Sequence, residues 1–229
     1  MSDYAISVHI LAQDPLRVIS AITDTFSADN FALVRIANAD SVVNEKSAEP
    51  SLQDDQYGLF VSGTSGGKWV SVYVDDWKDS GFLAQCISER LATNVIEIWI
   101  AESIHWGYTI FNNGVVSDRF ANEPDRMGDT KEERALYTGS EFELSKIAGD
   151  ACAGIFEAAR QEQLDAEDFA GSAVACVADA IGLPFEHAII GYDDFFDEDS
   201  EEYAKDLSNW PSFQHLTFHS SRGNLQLAR

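Results

Sequence analysis

Apolar and polar residues alternate with period two from the start of the chain, and Tyr4, Ile6, Val8 and Ile10 fall on one face of the strand this predicts. Asp14 followed by Pro15 supplies an N-cap and a first-turn proline, and Val18, Ile19, Ile22 and Phe26 form the apolar stripe of the helix that follows. Phe31 to Ala37 reads as the strand into which that helix leads. Asn38 to Gln56 is polar and without a consistent period, which predicts a loop. Tyr57 to Val61 and Trp69 to Val74 then read as two strands joined by the hairpin glycines of Gly63-Thr64-Ser65-Gly66-Gly67. Asp79-Ser80 is expected to cap a second helix, with Phe82, Leu83, Cys86, Ile87 and Leu91 inward, and the strand Val95 to Ala101 follows it. Trp106 to Phe111 and Val115 to Phe120 close a hairpin across Asn112-Asn113-Gly114, and the sheet is expected to end at Phe120.

Past a polar connector from Ala121 to about Gly139 the period changes. Ser140 and Glu143 have capping-box spacing, and Leu144, Ile147, Ala148, Ala151, Cys152, Ile155, Phe156 and Ala159 keep helical period in what reads as one unbroken helix. A second helix is expected from Asp165, with Phe169, Ala173, Cys176, Val177, Ala180 and Ile181 inward and Gly182 and Pro184 as its stop. Phe213 to Phe218 reads as a last strand, and Ser220 to Arg229 as a frayed tail. The pattern therefore predicts an α+β fold. A mixed or antiparallel sheet with two helices, ferredoxin-like and enlarged by hairpins, spans residues 1–122; a connector spans 123–139; a mainly helical hairpin section spans 140–229.

Charge changes the picture most. The chain carries 15 Lys and Arg against 39 Asp and Glu, a formal net charge of −24, and the excess is larger in the second half: 8 basic and 23 acidic residues over 121–229, against 7 and 16 over 1–120. Such a field repels nucleic acid and anionic lipid and favours cationic partners. Cys86, Cys152 and Cys176 are widely spaced among apolar or small residues, as buried thiols in a reducing compartment would be. With no basic-then-apolar leader and no apolar run of the ~20 residues a bilayer requires, a cytoplasmic protein is expected.

Familiar reaction motifs fail on inspection. Gly63 to Lys68 has Ser62 where a phosphate loop needs its first glycine and Trp69 where it needs Ser or Thr. His215 and His219 share a strand, about 13 Å apart at strand rise, too far to ligate one metal ion. His9, His105 and His187 have no ligand-spaced companion, and Gly63-Thr64-Ser65-Gly66-Gly67, although it has Gly-x-Ser-x-Gly spacing, joins two predicted strands and does not lead a strand into a helix as a nucleophile elbow does. The densest chemistry is the acidic run Asp193, Asp194, Asp197, Glu198, Asp199, Glu201, Glu202 and Asp206, interleaved with Phe195, Phe196, Tyr203 and Trp210. Aromatic anchors ringed by carboxylates suit a basic protein partner, and Trp77, at the end of a predicted element, is a further candidate contact. An irregular Ca²⁺ site through Asp197, Asp199 and Glu201 is the alternative, although Glu202 stands where an EF-hand needs glycine and Ser208 where it needs glutamate. An enzyme whose site is assembled from distant segments is a third reading.

The stretch from Trp69 through Trp-Gly-Tyr-Thr-Ile-Phe-Asn-Asn-Gly-Val-Val-Ser-Asp-Arg-Phe to Asn122-Glu123-Pro124 resembles a family of uncharacterised bacterial α+β proteins, over about a quarter of the chain. The resemblance implies a bacterial cytosolic protein and carries over no catalytic residue. In acidity and size the chain is also similar to immunity proteins that neutralise toxins. The expectation is therefore a non-enzymatic acidic binding module, with immunity or inhibitor action against a basic partner as its most concrete form.

Overall fold

The computed structural model describes residues 4–12, 14–38, 56–63, 67–74, 77–149, 152–167, 169–196 and 212–220, with the backbone alone for 77–79. Its strands are β1 (Tyr4–Leu11), β2 (Phe31–Asn38), β3 (Gln56–Gly63), β4 (Trp69–Val74), β5 (Asn94–Ala101), β6 (His105–Asn112), β7 (Val115–Ala121) and β8 (Gln214–Ser220). They form one antiparallel sheet in the order β2-β8-β3-β4-β1-β5-β6-β7. The helices are α1 (Pro15–Ala28), α2 (Trp77–Leu91), α3 (Lys131–Ala135), α4 (Glu141–Ala148), α5 (Ile155–Asp165), α6 (Ala170–Ala180) and α7 (Phe185–Ala188).

The α+β expectation holds. In chain order β1-α1-β3-β4-α2-β5 with spatial order β3-β4-β1-β5, the centre of the sheet has the ferredoxin-like arrangement. Hairpin β6-β7 extends it at one end and β8 with β2 at the other. The sheet does not stop at Phe120: β8 returns to lie between β2 and β3, pairing Leu33 with Phe218 on one side and Leu59 with Leu216 on the other. Residues 140–229 thus contribute a strand to the same sheet that residues 1–122 begin.

Both sheet faces are covered, which explains why β3 and β4 are buried almost throughout rather than on alternate residues. Against one face α1 and α2 pack Val18, Ile22, Phe26, Leu83 and Ile87 onto Val8, Ile10, Leu59, Val70, Val72 and Phe218. Against the other, Leu144, Ile147, Ala173, Val174 and Val177 cover Ile96, Ile98, Trp106 and Tyr108. α1 starts as the sequence requires, with Asp14 accepting from the Leu16 N–H at 3.0 Å and Pro15 in the first turn.

Several boundaries move. α2 begins at Trp77, two residues before the expected cap. The expected continuous helix is two, since Gly149 (φ 82°) ends α4 and Gly154 (φ 77°) opens α5, both in the left-handed region that glycine adopts freely. Asp165 closes α5 instead of opening α6. Asn113 and Gly114, both at positive φ, make the tight turn predicted between β6 and β7. In β6, a side chain at Gly107 would overlap the Phe120 carbonyl oxygen and the Trp99 ring, so only glycine lets β7 and Trp99 close on that strand. The cysteines are free, Cys152 buried and Cys86 and Cys176 half-buried. No described helix is long and apolar enough to cross a membrane.

The candidate functional site

Phe60 of β3 is the hub from which the acidic run is held. Its ring centroid lies 4.5 Å from that of Phe195, 5.2 Å from Tyr192, 5.4 Å from Phe213 and 5.7 Å from Phe196. Phe195 also meets Tyr73 edge-on at 5.0 Å and Phe213 at 5.4 Å. The single turn of 3-10 helix Asp193–Phe195 sorts its side chains: Asp193 is exposed, whereas Asp194 and Phe195 are 5% and 3% exposed. Asp194 accepts the Gly191 N–H at 2.8 Å and so closes its own turn. Phe196 and Phe213, the described residues on either side of the acid-rich stretch 197–211, therefore belong to one aromatic cluster.

This arrangement divides the expected contact residues. Phe195 and Asp194 are interior groups, the first filling the core and the second bonded to backbone, and neither presents surface to a partner. Phe196 is half-buried and Asp193 faces solvent. Asp197, Asp199, Glu201, Glu202, Tyr203 and Trp210 lie outside the described residues, as does the side chain of Trp77 at the start of α2. Among the described residues no three His, Cys, Asp or Glu side chains are placed to hold a metal ion.

Beneath the cluster is a polar network that the sequence did not single out. On the face of β1 opposite Val8 and Ile10, His9 has one ring nitrogen 2.8 Å from Ser7 Oγ and the other 2.8 Å from Ser71 Oγ of β4. Tyr73 OH lies 2.8 Å from His187 Nδ1 of α7, and Tyr192 OH lies 3.0 Å from His215 Nε2 of β8. The two tyrosine–histidine pairs tie the helical layer to the sheet. Burial strips these imidazoles of the water that would solvate their charge. It holds His9 well below the usual histidine range, His187 at about 3 and His215 at about 4, with His187 acting further on His9 and Arg35 on His215. His9 is 0% exposed, so the Ser7-His9-Ser71 row has the residue types of a proton relay without access to substrate.

No family model, curated protein or solved structure matches this chain. The resemblance over residues 69–124 accordingly rests on those residues alone.

Two carboxyls are tuned elsewhere. Glu97 of β5 is buried under α2, which desolvates it and raises its pKa against the opposing bonds from Ser80, at 2.5 Å, and Thr109. Gly81 is the point of α2 that lies over it. Asp118 of β7 is raised by burial too, while its Oδ2 accepts from Tyr108 OH and the Ser140 N–H, both at 2.9 Å. It thereby joins β6, β7 and the cap of α4. At the β5-β6 turn, Glu102 and Ser103 sit at φ 54° and 58°, a conformation L-residues adopt at a cost. The Ser103 carbonyl accepts the Ala170 N–H at 2.8 Å, and the Ile104 carbonyl accepts from Gln163 and Asn122 side chains, so α5 and α6 clasp the turn. These groups serve the fold. The signal for the histidine network was in the sequence: His9, Ser7, Ser71 and Tyr73 occupy alternate positions of predicted strands, on the face opposite the valines.

Proposed function

We propose that this chain is a non-enzymatic binding module that captures a basic protein partner through the acidic segment that begins at Asp193, with immunity or inhibitor action as its most concrete form. The supporting observation is that Phe196 and Phe213, which flank the acidic segment in sequence, both pack on the single hub Phe60. A segment held at both flanks loses less ordering entropy on binding than a free tail of the same composition. Between the anchors the sequence places Asp197, Glu198, Asp199, Glu201, Glu202 and Asp206 against Lys205 alone, on a chain whose net charge is −24. Long-range attraction would bring a cationic surface to the loop, and Phe196, Tyr203 and Trp210 would supply contact area.

The test is calorimetric titration with a Lys/Arg-rich peptide at about 50 and about 300 mM salt. The comparison is a variant in which Asp193, Asp197, Asp199, Glu201 and Glu202 become their amides. Affinity should fall at the higher salt and drop at least about tenfold in the variant. Equal binding by both proteins would remove the loop from the proposal. The divalent-cation reading uses Asp197, Asp199 and Glu201 of the same loop, and titration with Ca²⁺ at millimolar concentration distinguishes it: saturable heat lost in the variant belongs to that reading alone.

A further inference from the structure

We propose a second site, independent of the acidic loop: the cleft between the start of α1 and the end of α2 binds a small amphiphilic oxyanion, an apolar body ending in a carboxylate or phosphate group. The cleft has a volume of about 470 Å³, within the range of small-molecule sites. Leu11 and Ala12 at the end of β1 and Leu91 at the end of α2 give it apolar walls. Thr93 lines it as well, but its hydroxyl is committed to the Leu11 carbonyl at 2.7 Å.

Its charge runs against that of the molecule. The whole chain has 15 basic residues for 39 acidic ones, yet among the described residues this lining holds Arg17 and Lys68 against Asp14 alone. The Asp14 carboxylate is already engaged, accepting the Leu16 N–H as the α1 cap. Lys68 is not a loose surface cation. Its ammonium donates to the Ile181 carbonyl at 3.0 Å and lies 3.5 Å from that of Ile147, at the C-terminal ends of α6 and α4. Two helix ends thus fix where the charge sits, and one of its three N–H donors is left over. Arg17 is exposed, and its guanidinium has no hydrogen-bond or ion-pair partner among the described residues. In a chain this rich in carboxylates, a guanidinium with no partner among the described residues, lining the same cleft as a fixed ammonium, is a donor set available to an acceptor.

A bare inorganic anion would satisfy the donors and leave Leu11, Ala12 and Leu91 wet, whereas a neutral apolar molecule would do the reverse. Only a ligand with both parts meets the whole lining. Forked guanidinium bonds to a carboxylate or phosphate give such a group orientation as well as attraction.

The experiment titrates the full chain with phenyl phosphate, and separately with inorganic phosphate and phenol as its two halves, followed by amide NMR shifts and calorimetry. Phenyl phosphate should bind saturably, roughly tenfold or more tighter than either half, with shifts centred on residues 11–17, 68 and 91–93. Arg17→Glu should weaken binding by about tenfold or more without lowering Tm, because that side chain supports nothing else. Arg160→Glu makes the same charge change on α5, where Arg160 pairs only with Glu157 among the described residues, and should leave binding unchanged. Shifts elsewhere, non-saturating titrations, or equal losses in the two variants would overturn the site, the last by reducing the effect to net charge.

Discussion

At the residue scale, the three histidines buried on one sheet face make the fold sensitive to acid. His9, His187 and His215 are neutral in the folded protein because burial denies their charged forms water. In the unfolded chain each takes a proton near pH 6.5. Above that pH neither state binds the proton and stability is unaffected. Below it the unfolded state gains protons that the folded state refuses, costing roughly 1.4 kcal/mol per pH unit per histidine, until the pH approaches the folded values near 4 for His215 and 3 for His187. Urea denaturation should therefore show a loss of roughly 4–6 kcal/mol between pH 7 and pH 5, with His187→Phe reducing the slope by about one third. A flat profile over that interval would mean that these imidazoles accept protons within the fold.

At the scale of elements, the single turn Asp193–Phe195 separates anchoring from display. Phe195→Ala should cost roughly 3–5 kcal/mol, the range for a buried phenylalanine whose neighbours cannot collapse onto the vacancy. Asp193→Asn, on the exposed side of the same turn, should change stability by less than about 0.5 kcal/mol. Thermal or urea denaturation of the pair checks this, and comparable losses in both would contradict the inward position of Phe195. Local pattern revealed much of this level. The strands announced themselves through period two, the β6-β7 turn through Asn113-Gly114, and α1 through Asp14-Pro15. Phe195 was misread as a surface anchor because its chain neighbours are acids, while the group that buries it, Phe60, belongs to a distant strand. The break between α4 and α5 was hidden for a related reason. Apolar spacing runs on through Cys152 to Ala159, and only the left-handed Gly149 and Gly154 show that the chain turns there.

At the scale of the whole molecule, a net charge of −24 acts against compactness as well as for attraction of partners. Tm should rise by several degrees between about 20 and about 300 mM NaCl as carboxylate repulsion is screened; a constant Tm would indicate that the excess charge is already spread widely enough not to matter. Strand order was the part least legible in the sequence. Periodicity marks Phe213 to Phe218 as a strand but contains nothing about its neighbours, which are chosen by side chains on both faces of β2 and β3. The two ends of the sheet also differ. β7 has its outer side partly occupied, since the Gly139 N–H donates to the Arg119 carbonyl and the Ala121 N–H to the Tyr137 carbonyl, whereas β2 pairs with β8 and exposes Val34 and Ile36 by 55% and 53%. The place of β8 carries a consequence for biosynthesis. A nascent chain that has emerged from the ribosome only as far as α7 can assemble β3-β4-β1-β5-β6-β7, but β2 and the outer side of β3 must wait, chaperoned or at risk of sticking to other chains, for the strand translated last among those described.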